Sequence, residues 1–255
     1  MMGKVVIDCF PHSAERYRKR YAIVAVDVIR ATTTATTAVT LGRRVFPVRT
    51  SDEAFVMATS LTDPLLVGEL GGNKPYGFHE TNSPAAIARR TDPHRPMVLV
   101  SSSGTELILN AAGSEAVYLA CFRNFSAVAR FVAGRHPRVA VLGAGTRGRF
   151  RREDQMGCAW VAERLIDAGY APENQETADY VARWRGVSPA EISGGQSADY
   201  LRRSGQEQDL EFILRHIDDL DTVPCLVDGE LVATAGGSAA TSPAPSVGSA
   251  AGGSA

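Results

Sequence analysis

The chain is poor in lysine. Of its 27 basic side chains only Lys4, Lys19 and Lys74 are lysines; the rest are arginines. Biased genome composition accounts for that without function. Arginine-lined anion sites are the functional alternative, because a guanidinium fork grips phosphate in a bidentate way. No GxxxxGK[ST] string occurs, which excludes a P-loop. The 5 histidines show no HExxH spacing, and Cys9, Cys121, Cys158 and Cys225 form no CxxC pair, so no zinc constellation exists. Buried free thiols in a reducing compartment are expected instead. No apolar run reaches the length of a membrane span, and the opening MMGKVVIDCFP lacks a signal-peptide core. The expectation is a cytoplasmic protein. With a net charge of −1, no bulk attraction to nucleic acid or to a membrane is expected. A homo-oligomer stays open.

The 255 residues have an ordinary globular balance, enough for one large core or two small ones. The uncharged stretch 235–255, AGGSAATSPAPSVGSAAGGSA, reads as a flexible Gly/Ala/Ser/Pro tail, which leaves 1–234 as a single domain. Within it, apolar β-rich runs at 5–10, 22–28, 44–48, 64–69, 96–101, 116–120, 138–144 and 223–229 alternate with helical patterns. The helices are expected near 31–41, 51–60, 104–112, 124–134, 152–168, 174–184 and 206–217. Most of the runs lack period-2 alternation and so read as strands buried on both faces. The pattern predicts an α/β fold: a three-layer α/β/α sandwich with a mainly parallel or mixed central sheet.

Three strands run directly into helices through small or hydroxyl residues: AVDVIRATTT, VLVSSSGTEL and VLGAGTRGRFRRED. Ligands of open α/β sheets gather at the carboxyl ends of strands, where helix N-termini offer free N–H groups and partial positive charge. Each such terminus contributes about 0.3–1 kcal/mol toward an anion. In the first junction, Thr32, Thr33 and Thr34 are candidate hydroxyl donors to an oxyanion and Arg30 a candidate clamp. Asp27 is a candidate nucleophile or Mg²⁺ ligand. Helix capping by a threonine, with Asp27 paired to Arg30, is the structural alternative. Glu69, directly after a strand, suits a hard cation. In the same loop Gly71 and Gly72 suggest unusual backbone, Asn82 is a candidate substrate ligand, and Asn82 or Ser83 before Pro84 also reads as a helix cap. His79 is a candidate ligand or acid, or a surface histidine. Ser103, Gly104 and Thr105 form an anion-binding turn or a cap. Gly145 and Thr146 belong to a formal GxGxxG (Gly143, Gly145, Gly148), the dinucleotide fingerprint, but no buried strand is evident at 169–178, where that fold requires one. Glu153 and Asp154 are candidate metal ligands, or first-turn acids complementing the helix dipole.

Taken together, VDVIRATTT, GELGG…GFHETNSP, SSGT, CFRN, GAGTRGRFRRED and DLEFILRHIDDLDTVPCLVDG occur in the order found in the 2-phosphosulfolactate phosphatase family, which the chain resembles over roughly residues 4–233. The resemblance implies a Mg²⁺-dependent phosphoric monoester hydrolase. Its implied substrate is (2R)-2-phospho-3-sulfolactate, hydrolysed to 3-sulfolactate on a route to coenzyme M. It also implies Mg²⁺ on carboxylates among Asp27, Glu69, Glu153 and Asp154, with a small anionic phosphate ester as partner. The chain departs from the family pattern at His79, where aspartate is usual, at Ser103, where asparagine is usual, and at Arg151-Arg152, where Ser-Leu is usual. A phosphatase acting on a different phospho-metabolite and a non-catalytic anion-binding homologue are the alternatives these departures raise.

Overall fold

Alternate residues of single strands enter different cores. In the computed structural model, which describes residues 2–234, Val5 and Ile7 pack in one cluster while Val6 packs in another. Val24 and Val26 are likewise separated from Ile23 and Ala25, and Val139 and Val141 from Ala140 and Leu142. Both faces are apolar because both are covered, which is why these runs lack polar alternation.

The elements follow in the order β1 (Lys4–Cys9), α1 (Ala14–Tyr17), β2 (Ala22–Val26), α2 (Ala31–Thr40), β3 (Val45–Val48), α3 (Ser51–Thr59), β4 (Leu65–Gly68), α4 (Pro84–Ala88), β5 (Met97–Val100) and α5 (Gly104–Asn110). Then come β6 (Ala116–Ala120), α6 (Phe125–Val132), β7 (Arg138–Gly143), α7 (Arg152–Asp167), β8 (Ala171–Pro172), α8 (Gln175–Trp184), α9 (Gln196–Arg203), α10 (Glu207–Arg215), β9 (Val223–Val227) and β10 (Glu230–Thr234). The strands form one mixed sheet in the order β4-β5-β3-β10-β9-β6-β2-β7-β1-β8. The fold is a three-layer α/β/α arrangement. Helices α6, α7 and α8 cover one face of the β6-β2-β7-β1 block, while α2 and α5 contribute to the core on the opposite face.

Two parallel blocks make up this sheet, β4-β5-β3 and β6-β2-β7-β1-β8. The antiparallel hairpin β9–β10 joins them, pairing with β6 through Tyr118–Cys225 and with β3 through Leu231–Val45. The turn of that hairpin places Asp228 and Gly229 at positive φ, as a tight two-residue connection requires. Every expected strand and helix is present. Elements not anticipated are α1, α9, β10 and the two-residue β8. The last lies inside 169–178 but pairs only with the start of β1, at the sheet edge, and is not the buried strand of a dinucleotide fold. The predicted tail at 235–255 lies outside the described residues.

Cys9, Cys121 and Cys158 are buried free thiols and Cys225 is half-buried. Among the described residues, no helix is long and apolar enough to cross a membrane.

Candidate active site

A cavity of about 670 Å³ opens at the carboxyl ends of the strands, with a smaller one of about 350 Å³ beside it. Both blocks of the sheet supply the walls of the larger cavity. Asp27, Ile29 and Arg30 come from the β2–α2 junction. Glu69, Gly71 and Gly72 follow β4, Ser101–Ser103 follow β5, and Thr146, Arg147 and Arg151 follow β7. Asn82, with Gln196, Ser197, Asp199, Tyr200, Leu201 and Arg203 of α9, completes the lining. Ser103, Thr146 and Arg147 border both cavities, and Gly145 borders only the smaller.

Asp27 is 6% exposed. Its carboxyl pKa is pushed up to about 7, first by burial and next by the nearby Glu69 carboxylate, with Ala31 N–H and Arg30 opposing only in part. No side-chain cation lies within ion-pair distance of it among the described residues, which removes the Asp27–Arg30 pairing raised as an alternative. Gly104 abuts the carboxylate so closely that a Cβ there would overlap Asp27 Oδ2 and the Ala31 methyl. Glycine at the start of α5 is therefore a space requirement of the site. Glu69 is held by four donors: Ser101 Oγ at 3.1 Å, Ser102 N–H at 2.8 Å, Ser102 Oγ at 3.0 Å and Gly72 N–H at 2.7 Å.

Arg30 is 5% exposed and is oriented from outside its own loop. Its Nη1 donates to Asp209 Oδ2 at 2.6 Å and to Gln206 Oε1 at 2.5 Å. Asp209, wholly buried, also accepts from Ser83 Oγ and from Ala85 N–H. Ser83 caps α4 through Ala86 N–H at 3.0 Å, with Pro84 in the first turn. This resolves the cap: Ser83 takes it. Asn82 instead lines the cavity, 1% exposed, with its Oδ1 lacking any partner. An orphaned buried amide beside a cavity is a ligand contact in waiting.

The threonines do not face the cavity, and their predicted role as oxyanion donors is corrected. Thr32 Oγ1 accepts from Asp27 N–H at 3.0 Å and lies 2.8 Å from the carbonyls of Asp27 and Ala120. Thr33 Oγ1 donates to the Val28 carbonyl at 2.8 Å, while Thr34 Oγ1 is buried without a partner. Thr32 and Thr33 lock the start of α2 onto the ends of β2 and β6. Thr105 acts likewise inside the β5–α5 turn, accepting from Ser101 N–H and donating to the Ser101 carbonyl. Ser103 makes no cap bond to α5 and is left to the cavity. The helices that start at the site, α2, α5 and α7, lack a side-chain bond from their N-cap residues, as α1, α6, α9 and α10 do, whereas α3, α4 and α8 are capped by Thr50, Ser83 and Asn174.

Glu153 and Asp154 are buried in the first turn of α7 and line neither cavity. Asp154 spends both oxygens on backbone, accepting from Val28 N–H at 2.9 Å and Gly145 N–H at 3.2 Å. Burial, then Asp27 and then Glu153, pushes its pKa well up. Burial likewise raises Glu153, against a hydrogen bond from Ser197. Asp154 thereby braces the β2–α2 and β7–α7 junctions, and neither acid borders a cavity. No group of three or more His, Cys, Asp and Glu side chains arranged to hold a metal exists among the described residues. Mg²⁺ does not need one: it takes one or two carboxylates and fills its octahedron with phosphate oxygens and water. Asp27 and Glu69, two mutually repelling acids on the cavity wall with no cation partner on Asp27, fit that donor set.

His79 is exposed and away from both cavities. Its Nδ1 accepts from Leu66 N–H at 3.0 Å, closing the outer edge of β4. The α9 contribution (Gln196, Ser197, Asp199, Tyr200, Leu201 and Arg203), with Asp209 and Gln206 behind Arg30, was not anticipated. These residues lie on ordinary amphipathic helices, and their sequence carries no local signal.

An acid floor, a buried arginine and uncapped helix starts around one cavity of an α/β/α sheet define an enzyme for small anionic substrates. Comparison with known proteins narrows the class. The family model for 2-phosphosulpholactate phosphatase matches residues 9–229. A probable 2-phosphosulfolactate phosphatase of Symbiobacterium thermophilum is 31% identical over 226 residues, covering 86% of this chain and 96% of the relative. Proteins with the same designation in Thermotoga maritima and Caldanaerobacter subterraneus are 31% and 28% identical, covering 91% and 84% of this chain and 98% and 91% of the relatives. The chain belongs to the 2-phosphosulpholactate phosphatase family and is a phosphoric monoester hydrolase.

Proposed function

We propose that the protein is a Mg²⁺-dependent phosphatase of a small acidic phosphomonoester, with (2R)-2-phospho-3-sulfolactate, cleaved to 3-sulfolactate and phosphate, as the reference substrate. The observation that carries this reading is Asp27: a buried carboxylate held near pKa 7 by burial and by Glu69, on the wall of a cavity and without a side-chain cation. Such a group is unstable as a bare anion and is relieved by a cation–phosphate guest. Asp27 and Glu69 would hold Mg²⁺, which supplies positive charge to the phosphoryl oxygens. Arg30, aimed by Asp209, offsets the same charge, and the Asn82 amide and Ser103 position the oxygens. The Asp27 carboxylate then has one of two tasks. It attacks phosphorus and releases the alcohol, leaving an aspartyl-phosphate for water to cleave, or it takes the proton of the attacking water. Burst kinetics with a trapped acyl-phosphate would support the first, and phosphate release with no phosphorylated enzyme would support the second. A cytoplasmic location belongs to the same reading, supported by the buried free thiols.

The test is phosphate release from a panel of phospho-acids, with Mg²⁺ and after metal removal. Release that needs Mg²⁺ and is abolished in Asp27→Asn is expected. Metal-independent release, or full activity of the variant, would overturn the reading.

A further inference from the structure

Leu70 to Asn73, directly after Glu69, form a tight turn. Leu70 N–H donates to the Asn73 carbonyl at 2.9 Å, and Asn73 N–H donates to the Leu70 carbonyl at 3.2 Å. Gly71 and Gly72, the central pair, stand at φ 61 and 92, the left-handed pair that a type I′ turn requires. Neither central N–H is spent inside the turn. Gly71 N–H donates to Ser102 Oγ at 2.8 Å, that hydroxyl donates to Glu69 Oε2 at 3.0 Å, and Gly72 N–H reaches the same oxygen at 2.7 Å. The turn is in turn gripped from α9. Tyr200 Oη donates to the Gly72 carbonyl at 2.7 Å, and it lies so close that a Cβ on Gly72 would overlap Tyr200 Oη and Cζ. Gly72 is thus held twice, at its carbonyl by Tyr200 and at its N–H by Glu69. Tyr200 itself packs against the core that takes in the buried Ala198 and Leu201 of the same helix. A phenol seated on a packed helix is a firmer support than a loop can give itself.

We propose that Tyr200 is a positioning residue for Glu69. Through the Gly72 carbonyl it fixes the turn whose N–H holds Glu69 Oε2, and so it sets the direction in which this carboxylate meets a divalent cation shared with Asp27. The proposal rests on the metal reading of Asp27 and Glu69 and deepens it, by naming what aims the second carboxylate. Groups that hydrogen-bond behind a metal's ligands govern its affinity through ligand orientation. Tyr200 sits one step further back and acts through a single glycine.

The experiment is calorimetry of Mg²⁺ binding to the protein without substrate. It needs no turnover, and it excludes any direct contact of Tyr200, which also lines the cavity, with a phosphate ester. Tyr200→Phe keeps the ring against the core and removes only the hydroxyl. It should weaken the Mg²⁺ binding that depends on Asp27 by about 3- to 10-fold, the loss expected for one hydrogen bond acting on a ligand, with a Tm close to the parental value. A merely structural Tyr200 would lower Tm and leave the Kd of the folded protein alone, so an unchanged Kd overturns the proposal whatever happens to Tm. Should the wild type show no Mg²⁺ binding that Asp27→Asn abolishes, the metal reading fails, and amide exchange at Gly72 in the metal-free protein decides the positioning by itself. Exchange at least about threefold faster in Tyr200→Phe than in the wild type supports it, and equal rates overturn it.

Discussion

At the scale of single residues, the site turns on a carboxylate kept where it is electrostatically unfavourable. Asp27 has a folded-state pKa near 7 against an ordinary value of 3.8. Between those values the folded protein holds a proton that the unfolded chain releases. The contribution of this group is therefore fully present below about pH 4 and is lost as pH rises through about 7. Glu153 and Asp154 are shifted in the same direction and add to the slope. Metal-free protein should thus melt at falling temperature from about pH 5 to about pH 8, and Asp27→Asn should flatten that decline and melt higher at the alkaline end. The same variant should lose kcat by about a thousandfold or more, as removal of a group acting on the reacting atoms does. Thermal melts across pH, paired with phosphate-release assays, check both; a variant melting like the parent at every pH would place the strain elsewhere. Asp27 and Glu69 were legible because a carboxylate at the end of an apolar strand has few structural reasons to be there. Asp154, an acid in the first turn of α7, also reads as a candidate ligand, yet its two oxygens are taken by Val28 and Gly145 N–H groups. That distinction exists only once β2 and β7 lie side by side.

At the scale of elements, the threonine run is a joint. A valine in place of Thr32 keeps the shape but leaves the buried Asp27 N–H without its 3.0 Å acceptor. The expected cost is about 1–3 kcal/mol, from an orphaned backbone donor, seen as a drop of several degrees in Tm. KM for the phosphate ester should change less than it does in Arg30 variants, since no threonine of this run lines the cavity. A Thr32→Val enzyme with native Tm and a strongly raised KM would restore the hydroxyls as direct ligands. Strands and long helices were readable because burial on both faces writes apolar runs, and small or hydroxyl residues mark the junctions. Helix α9 was not, because GQSADYLRRSGQ is polar with short apolar spacing and reads as loop until its Ala198 and Leu201 meet a core. Strand β10 was missed for a related reason: it is the return limb of a hairpin whose partner, β9, absorbs most of the apolar signal.

At the scale of the whole molecule, the cavity exists because two parallel blocks of sheet, bridged by the β9–β10 hairpin, bring their carboxyl ends to one place. No local pattern encodes that meeting. It depends on side chains that tie distant segments, and Asp209 is chief among them, since it joins α10 to Arg30 at the start of α2 and to Ser83 at the start of α4. Its side chain is 0% exposed and that of Arg30 is 4% exposed, so neither charge has water to fall back on. Removing one partner of such a pair leaves the other buried and uncompensated, a loss of about 3–5 kcal/mol. Asp209→Ala should therefore destabilise the fold by that order in urea titration and raise KM, because Arg30 loses its aim. Asp209→Asn separates the two effects: it preserves an acceptor for Ser83 and Ala85 but removes the charge facing Arg30. It should recover part of the stability while KM stays high. If instead Asp209→Ala unfolds at the parental urea concentration and binds phosphate esters with parental KM, the Asp209 contact is dispensable, and Arg30 is aimed without it, with Gln206 as its remaining side-chain partner among the described residues.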